Sequence, residues 1–207
     1  MSTTNRTSRQ GITDETLVTE FLGGDERAFV ELMRRYKQPI ITFVYRFLGN
    51  YEDACDIAQE TFVRLYRFAN SYQGEVKFST WLYTIAGNLA RTELKKYRRK
   101  YGTSMQQAFG IGEDAETWDV PDETYRPDDR VDTNTITQEV QKALMRVSPS
   151  YREMVILRDV QQMSYEEIAE ITKTELGTVK SRINRGRAQL QEQLKGLYDE
   201  LFGTTEP

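Results

Sequence analysis

The residues best suited to chemistry in this sequence are cations and amides crowded into one stretch: Lys180, Ser181, Arg182, Asn184, Arg185 and Arg187. Guanidinium, ammonium and amide groups can donate to base edges in a major groove or hold phosphate oxygens. The chemistry implied is recognition of nucleic acid. Projected as a helix at about 100° per residue, Val179, Ile183, Gly186, Leu190 and Leu194 fall on one side. Ser181, Asn184, Arg185 and Ala188 fall opposite, with Lys180 and Arg187 on one flank and Arg182 on the other. The small Ser181 and Ala188 permit close approach. A solvated face with ordinary positive residues is the plainer alternative, but it must also account for the elements that precede this stretch.

Those elements are well signalled. Ser164-Tyr165-Glu166-Glu167 fits a capping box and opens a short helix containing Ile168, Ala169 and Ile171. After a few turn residues, Gly177-Thr178 introduces the long helix, which runs to about Leu194. A helix-turn-helix needs a small residue where its helices cross and apolar anchors on the second one. Ala169 supplies the first; Val179 and Ile183 supply the second. Upstream, Thr135-Ile136-Thr137-Gln138 also fits a capping box, with Ile136, Val140, Leu144 and Val147 marking its helix. Ser148-Pro149 then starts another, cap followed by proline at the first helical position.

The N-terminal part, from about Thr13 to Lys100, reads as helix throughout. Asp25 caps a helix with Phe29, Leu32, Met33, Tyr36, Ile40, Phe43, Val44, Phe47 and Leu48 on one face, which Pro39 should bend or divide. Gly49-Asn50 ends it. The next helix turns Ala54, Ile57, Ala58, Phe62, Leu65 and Tyr66 inward and Glu52, Asp56, Gln59, Glu60, Arg64 and Arg67 outward. Ser79 can cap a third helix with Trp81, Leu82, Ile85, Ala86 and Leu89, which runs into the basic Lys95-Lys96-Tyr97-Arg98-Arg99-Lys100.

Between the two helical parts the pattern stops. Nine acids (Glu113, Asp114, Glu116, Asp119, Asp122, Glu123, Asp128, Asp129 and Asp132) face only Arg126 and Arg130. This stretch therefore carries −7 and leaves +3 for the rest of a chain whose net charge is −4. With two prolines, three glycines and no apolar period, it reads as an acidic flexible linker. It could span about 100 Å if fully extended, so the two parts need not touch. The expected fold is all-α, with two small helical domains at 13–100 and 135–200. Residues 101–134 form the linker, with a disordered tail at 1–12 and a short tail at 201–207.

Composition narrows the function classes. The sequence has no histidine and one cysteine, Cys55, which excludes an internal disulfide and every Ser-His or Cys-His nucleophile. A zinc site of usual ligand type is disfavoured too, and no Gly-rich phosphate loop is present. Cys55 sits among apolar helical positions, as a small core residue would. We therefore expect no enzyme, no cofactor and no metal. No apolar run approaches the roughly 20 residues of a membrane span, and the polar start lacks a signal peptide, which points to a cytoplasmic protein.

The same residues carry a family resemblance. Tyr165-Glu166-Glu167-Ile168-Ala169 and Gly177-Thr178-Val179-Lys180-Ser181-Arg182-Ile183 closely resemble the end of region 4 of extracytoplasmic-function (ECF) sigma factors. Tyr151-Arg152-Glu153 and Leu157-Arg158-Asp159 look like the helix before that motif. Asp53-Ala54 and Asp56-Ile57-Ala58-Gln59-Glu60-Thr61-Phe62 resemble region 2.2. Phe78-Ser79-Thr80-Trp81-Leu82-Tyr83 and Ile85-Ala86-Gly87-Asn88-Leu89-Ala90 resemble the promoter-binding segment that follows. The resemblance covers both helical parts in the family's order.

It implies a factor that binds core RNA polymerase, recognises −35 and −10 promoter elements and promotes melting. The −35 element would meet Lys180, Ser181, Arg182, Asn184, Arg185 and Arg187. Asn88 matches the position from which the family reads an extruded −10 base, although taken alone it could be an ordinary helix-end residue. Arg91, Lys95, Lys96, Arg98 and Arg99 would hold adjoining phosphates of duplex and single-stranded promoter DNA. Phe78, Trp81 and Tyr83 could stack on separated bases, although Trp81 and Leu82 also fit the core stripe. Asp56, Gln59, Glu60 and Arg64 would meet the β′ coiled coil of the polymerase, where plain solvent exposure is the alternative. An anti-sigma protein is a further implied partner, and membrane insertion is not.

The sequence departs from the family in several places. Thr92 stands where Asp is common, Val147-Ser148 where Leu-Pro is, and Thr172-Lys173 where the turn usually has Leu-Gly. Lys173 implies a different turn geometry or an added phosphate contact. Two rivals carry other expectations. A stand-alone helix-turn-helix regulator would bind a symmetric operator without polymerase. A carboxylate-and-metal nuclease would need converging acids inside one folded part, whereas the densest acids lie in the linker.

Overall fold

The computed structural model describes residues 11–109 and 131–203, with backbone alone for 101–109, 131–135 and 200–202. Most of both expected tails and the centre of the expected linker lie outside the described residues. Helices α1 (Asp14–Leu22), α2 (Glu26–Leu48), α3 (Tyr51–Phe68) and α4 (Phe78–Phe109) build the first domain. Helices α5 (Val131–Arg146), α6 (Pro149–Val155), α7 (Tyr165–Thr172) and α8 (Leu176–Phe202) build the second, with a π-helical turn at Ile156–Val160 after α6. Among the described residues there is no strand, as expected for an all-α chain.

Local sequence accounts for most boundaries. Thr13 and Asp25 cap α1 and α2 by accepting from the backbone of Thr16 and Arg27. Gly49 closes α2 at φ +84°, a left-handed value that favours glycine, and its N–H returns to the Tyr45 carbonyl. Asn50 then caps α3 through its side-chain oxygen.

Several boundaries differ from expectation; α8, for one, runs to Phe202 and not to about Leu194. Pro39 neither divides nor ends α2, which continues to Leu48. A helix-interior proline costs about 3 kcal/mol. Beyond it Ile40, Ile41, Phe43, Val44, Phe47 and Leu48 are all buried, each contributing roughly 1.5–3 kcal/mol, so burial outweighs the loss. Helix α4 begins at Phe78, not after Ser79, because Glu15 of α1 accepts from the Phe78 N–H at 3.2 Å and satisfies its open end. It also runs on to Phe109 through good helix formers such as Met105, Gln106, Gln107 and Ala108. Helix α5 begins at Val131, so the Thr135 box lies inside it.

Tyr66, expected inward, is 53% exposed. Its ring closes an aromatic cluster with Phe21 and Phe29 at the rim of the α2–α3 contact. Phe78 and Tyr83 are buried, so in this conformation they are core residues and not stacking platforms. Trp81 is half-buried against Tyr72 and Phe78.

The two domains touch. One apolar core runs from Phe43, Phe47, Leu82, Ala86, Ala90 and Leu94 of the first domain into Met154, Ile156, Leu157, Met163 and Ile168 of the second. Helix α4 packs on α7, while α2 meets α5, α6 and the π-helical turn.

Candidate nucleic-acid interface

The helix-turn-helix forms as its motif requires. Ser164 and Glu167 make both bonds of the capping box on α7. Val179 and Ile183 of α8 are fully buried beneath it, and Ala169 packs partly buried at the crossing. The turn keeps a left-handed residue, supplied here by Lys173 at φ +50°, whose N–H returns to the Ala169 carbonyl. Its ammonium pairs with Glu170 at 3.1 Å.

Gly186 belongs to this fit. A Cβ there would sit 2.6 Å from Val155 Cγ2 and 3.1 Å from Tyr151 Cβ, so α6 and α8 approach closely only because it is glycine.

Along the outer face of α8, Lys180, Ser181, Asn184, Arg185 and Arg187 are exposed. They are not equivalent. Arg187 is held by Asp159 of the π-helical turn through Nε and Nη2, and this raises the Arg187 pKa. Arg185 makes only a long 3.5 Å bond to the Tyr151 hydroxyl. The Lys180 ammonium lies 5.8 Å over the Tyr165 ring. Arg182 is half-buried and also lines a cleft shared with Arg91, Lys95 and Arg98 of α4. A depression of about 420 Å³ opens beside the helix, lined by Ser150, Tyr151, Gly177, Thr178, Ser181, Arg182 and Arg185. Ser150 and Tyr151 of this lining were not singled out in the sequence; only their place in the helix before the motif hinted at them.

On α4, Asn88 is exposed and its amide oxygen accepts from Arg91 Nη2 at 2.7 Å. Arg91 is half-buried: its other terminal nitrogen pairs with Glu153 of α6, and Nη2 also reaches the Ile171 carbonyl at 3.4 Å. Burial pushes the Glu153 carboxyl up, against the pull of Arg91. Lys95, Lys96, Arg98 and Arg99 are exposed, with Lys96 paired to Glu93 at 2.8 Å. The Tyr97 phenol donates to Asp53 of α3, fixing this end of α4 to the bundle.

On α3, Asp56, Gln59, Glu60 and Arg64 share one exposed face, with Arg64 bonded to Glu60 at 2.8 Å. Beside them lies an apolar groove of about 530 Å³ between α2 and α3, lined in part by Phe29, Met33, Phe62, Val63 and Tyr66. In sequence Phe29, Met33, Phe62 and Tyr66 read as plain core, and Val63 was not singled out. The surplus of aromatic and methionine side chains on two facing stripes was the available signal.

The fold and these surfaces define a two-domain helical protein that exposes one helix-turn-helix and one basic helix. Comparison with known proteins narrows this class. Residues 32–100 match Sigma-70 region 2, and residues 137–190 match Sigma-70, region 4. The chain is 37% identical over 174 residues to the ECF RNA polymerase sigma factor SigW of Bacillus subtilis, covering 84% of this chain and 92% of that protein. It is 32% identical to the ECF RNA polymerase sigma-E factor of Escherichia coli K12, covering 90% and 96%. Among solved structures, the sigma factor RpoE in complex with the anti-sigma factor NepR from Bartonella quintana aligns with TM-score 0.57 and 28% identity, over 81% of this chain and 96% of that one. CnrH in complex with the cytosolic domain of CnrY shares the fold at TM-score 0.64 and 22% identity, over 88% and 97%.

The chain belongs to the ECF sigma factors of the sigma-70 family. It is a transcription-initiation factor that works with RNA polymerase at promoters. Among the described residues, no helix is long and apolar enough to cross a membrane.

Proposed function

We propose that the chain divides promoter work among three surfaces. The exposed face of α3, with Asp56, Gln59, Glu60 and Arg64, docks on the β′ coiled coil of core polymerase, and the adjoining apolar groove extends that contact. A polar face beside an apolar groove is what a helical partner fits. The outer face of α8, with Lys180, Ser181, Asn184, Arg185 and Arg187, enters the major groove of the −35 element, and Arg182 joins it. Asn88 reads an unpaired −10 base, since its amide both donates and accepts, as a base edge requires. Arg91, Lys95, Lys96, Arg98 and Arg99 hold the flanking phosphates. Capture of unpaired bases drives melting, and covalent chemistry belongs to the polymerase. The protein acts in the cytoplasm, on the nucleoid, with an anti-sigma protein as a further partner.

The observation that carries this reading is the placement of an exposed donor row on α8 and a basic row on α4, each on a helix anchored by a buried apolar face. A pull-down of bacterial core RNA polymerase with the wild-type protein and a Gln59→Ala, Glu60→Ala double variant tests it. Stoichiometric binding by wild type, lost in the variant, is expected. Tight duplex binding with no polymerase binding would favour a stand-alone regulator.

A further inference from the structure

The turn that leaves α6 aims one carboxylate at the recognition helix. It closes with the Gln161 N–H on the Ile156 carbonyl at 3.0 Å, five residues back where an α-helix would reach four. Ile156 and Leu157 are buried and anchor it, while Asp159 is exposed. Widened turns of this kind are frequent at functional sites. Both Asp159 oxygens accept from Arg187 of α8, one from Nε at 2.9 Å and the other from Nη2.

The other cations near this flank have neutral neighbours. The Arg158 guanidinium carbon lies 4.7 Å, and the Lys180 ammonium 5.8 Å, from the centre of the Tyr165 ring. Arg158 also donates to the Met163 carbonyl at 2.6 Å, and Arg185 meets the Tyr151 hydroxyl. Arg187 is therefore the cation of this flank whose charge is answered in place. Its side chain is 46% exposed and that of Asp159 36%, and pairs so exposed add little to stability. The fork geometry is nonetheless the strong kind, with two parallel donors on one carboxylate. A DNA phosphate would need those same two donors. While Asp159 keeps them, the pair is neutral and displaces no counterion from the duplex.

We propose that Asp159 is a positioning residue that withholds Arg187 from the DNA backbone. The recognition helix then holds its duplex with one phosphate contact fewer than its cations allow. A backbone contact tightens binding to every sequence alike and adds no discrimination. A factor that must give up its promoter in each round of initiation is served by such a bounded hold. The inference rests on the reading of α8 as the −35 helix.

The test uses the full chain assembled with core RNA polymerase, in filter binding at several salt concentrations. Its probes are an upstream duplex selected by the wild-type holoenzyme from random sequence and a scrambled duplex of equal length. Asp159→Asn should tighten both about threefold to tenfold at low salt and steepen the slope of log K against log salt by about 0.9. Asp159→Ala, which leaves no side-chain oxygen to rebind Arg187, should steepen it equally. In an Arg187→Ala background, Asp159→Asn should change affinity by less than about twofold and leave the slope alone, since no guanidinium remains to be freed. An equal gain in both backgrounds would mean that the carboxylate repels DNA directly, and it overturns the inference. An unchanged slope in both Asp159 variants does the same. So does a thermal midpoint that collapses in both, which would make the pair a structural tie. Arg185→Ala without effect on the selected duplex would instead overturn the −35 reading itself, and the inference with it.

Discussion

The guanidinium of Arg152, in a residue with no exposed surface, donates to the backbone carbonyl of Phe47 at 2.8 Å, joining α6 to the last turn of α2. That carbonyl is one of four at a helix C-terminus with no intrahelical donor. The same guanidinium also donates to the carbonyls of Met145 and Val147. Arg152→Ala would leave these acceptors short of donors and open a large cavity. We expect a loss of about 3–4 kcal/mol in urea unfolding of the full chain. A loss under about 1 kcal/mol would mean that water replaces the guanidinium without strain.

Gly186→Ala should destabilise by about 1–3 kcal/mol, because the added methyl would sit 2.6 Å from Val155 Cγ2, closer than Cβ atoms approach, and tightly against Tyr151. For a chain of this size the unfolding midpoint should fall by about 2–12 °C in a thermal scan. An unchanged midpoint would show that α6 and α8 can separate at little cost.

On the recognition helix the two outer arginines should differ. Arg187 must break its two bonds to Asp159 before it reaches DNA, whereas Arg185 has only a long bond to Tyr151. Arg185→Ala should weaken holoenzyme binding to −35 duplex roughly tenfold, and Arg187→Ala by less than about threefold. Lys180→Ala should lower the slope of log K against log salt by about 1, as loss of one phosphate contact requires. Filter binding at several salt concentrations separates these outcomes, and a larger effect at Arg187 would reverse the assignment.

Acid should loosen the first domain at an identifiable carboxylate. Hydrogen bonds from Arg34 and Arg35 hold Glu31 at about 2, below its ordinary 4.5. A depressed folded-state value means that its stabilisation is present above pH 4.5 and is lost as pH falls toward 2. Glu31→Gln should flatten the fall of stability across that window while changing little below it. Equal acid limbs for the two proteins in pH-dependent denaturation would count against the pairing.

Legibility in the sequence followed the range of the interaction. Asp25 and the Ser164–Glu167 box act within a few residues, and the structure uses each as a helix start. The apolar stripes of α2, α3 and α8 depend only on helical period, so Phe43, Ile57 and Ile183 were readable as core. Ser79 and Thr135 misled because each is a local signal overruled from elsewhere. Burial beyond Pro39 holds α2 together, Glu15 of α1 satisfies the open end of α4, and α5 starts upstream of Thr135.

What the sequence determined by itself is the helical class, the helix-turn-helix, the family and the rows of donors on α4 and α8. All of these rest on residue type and spacing along one helix. The tertiary structure alone decided which donors are engaged: Arg91 by Glu153, Arg187 by Asp159, while Asn88 stays exposed. It also decided that the domains close on one another, through contacts such as Arg152 to Phe47 that span 105 residues. A hydrogen bond or ion pair between distant segments depends on how whole helices pack, and helical periodicity carries no record of that.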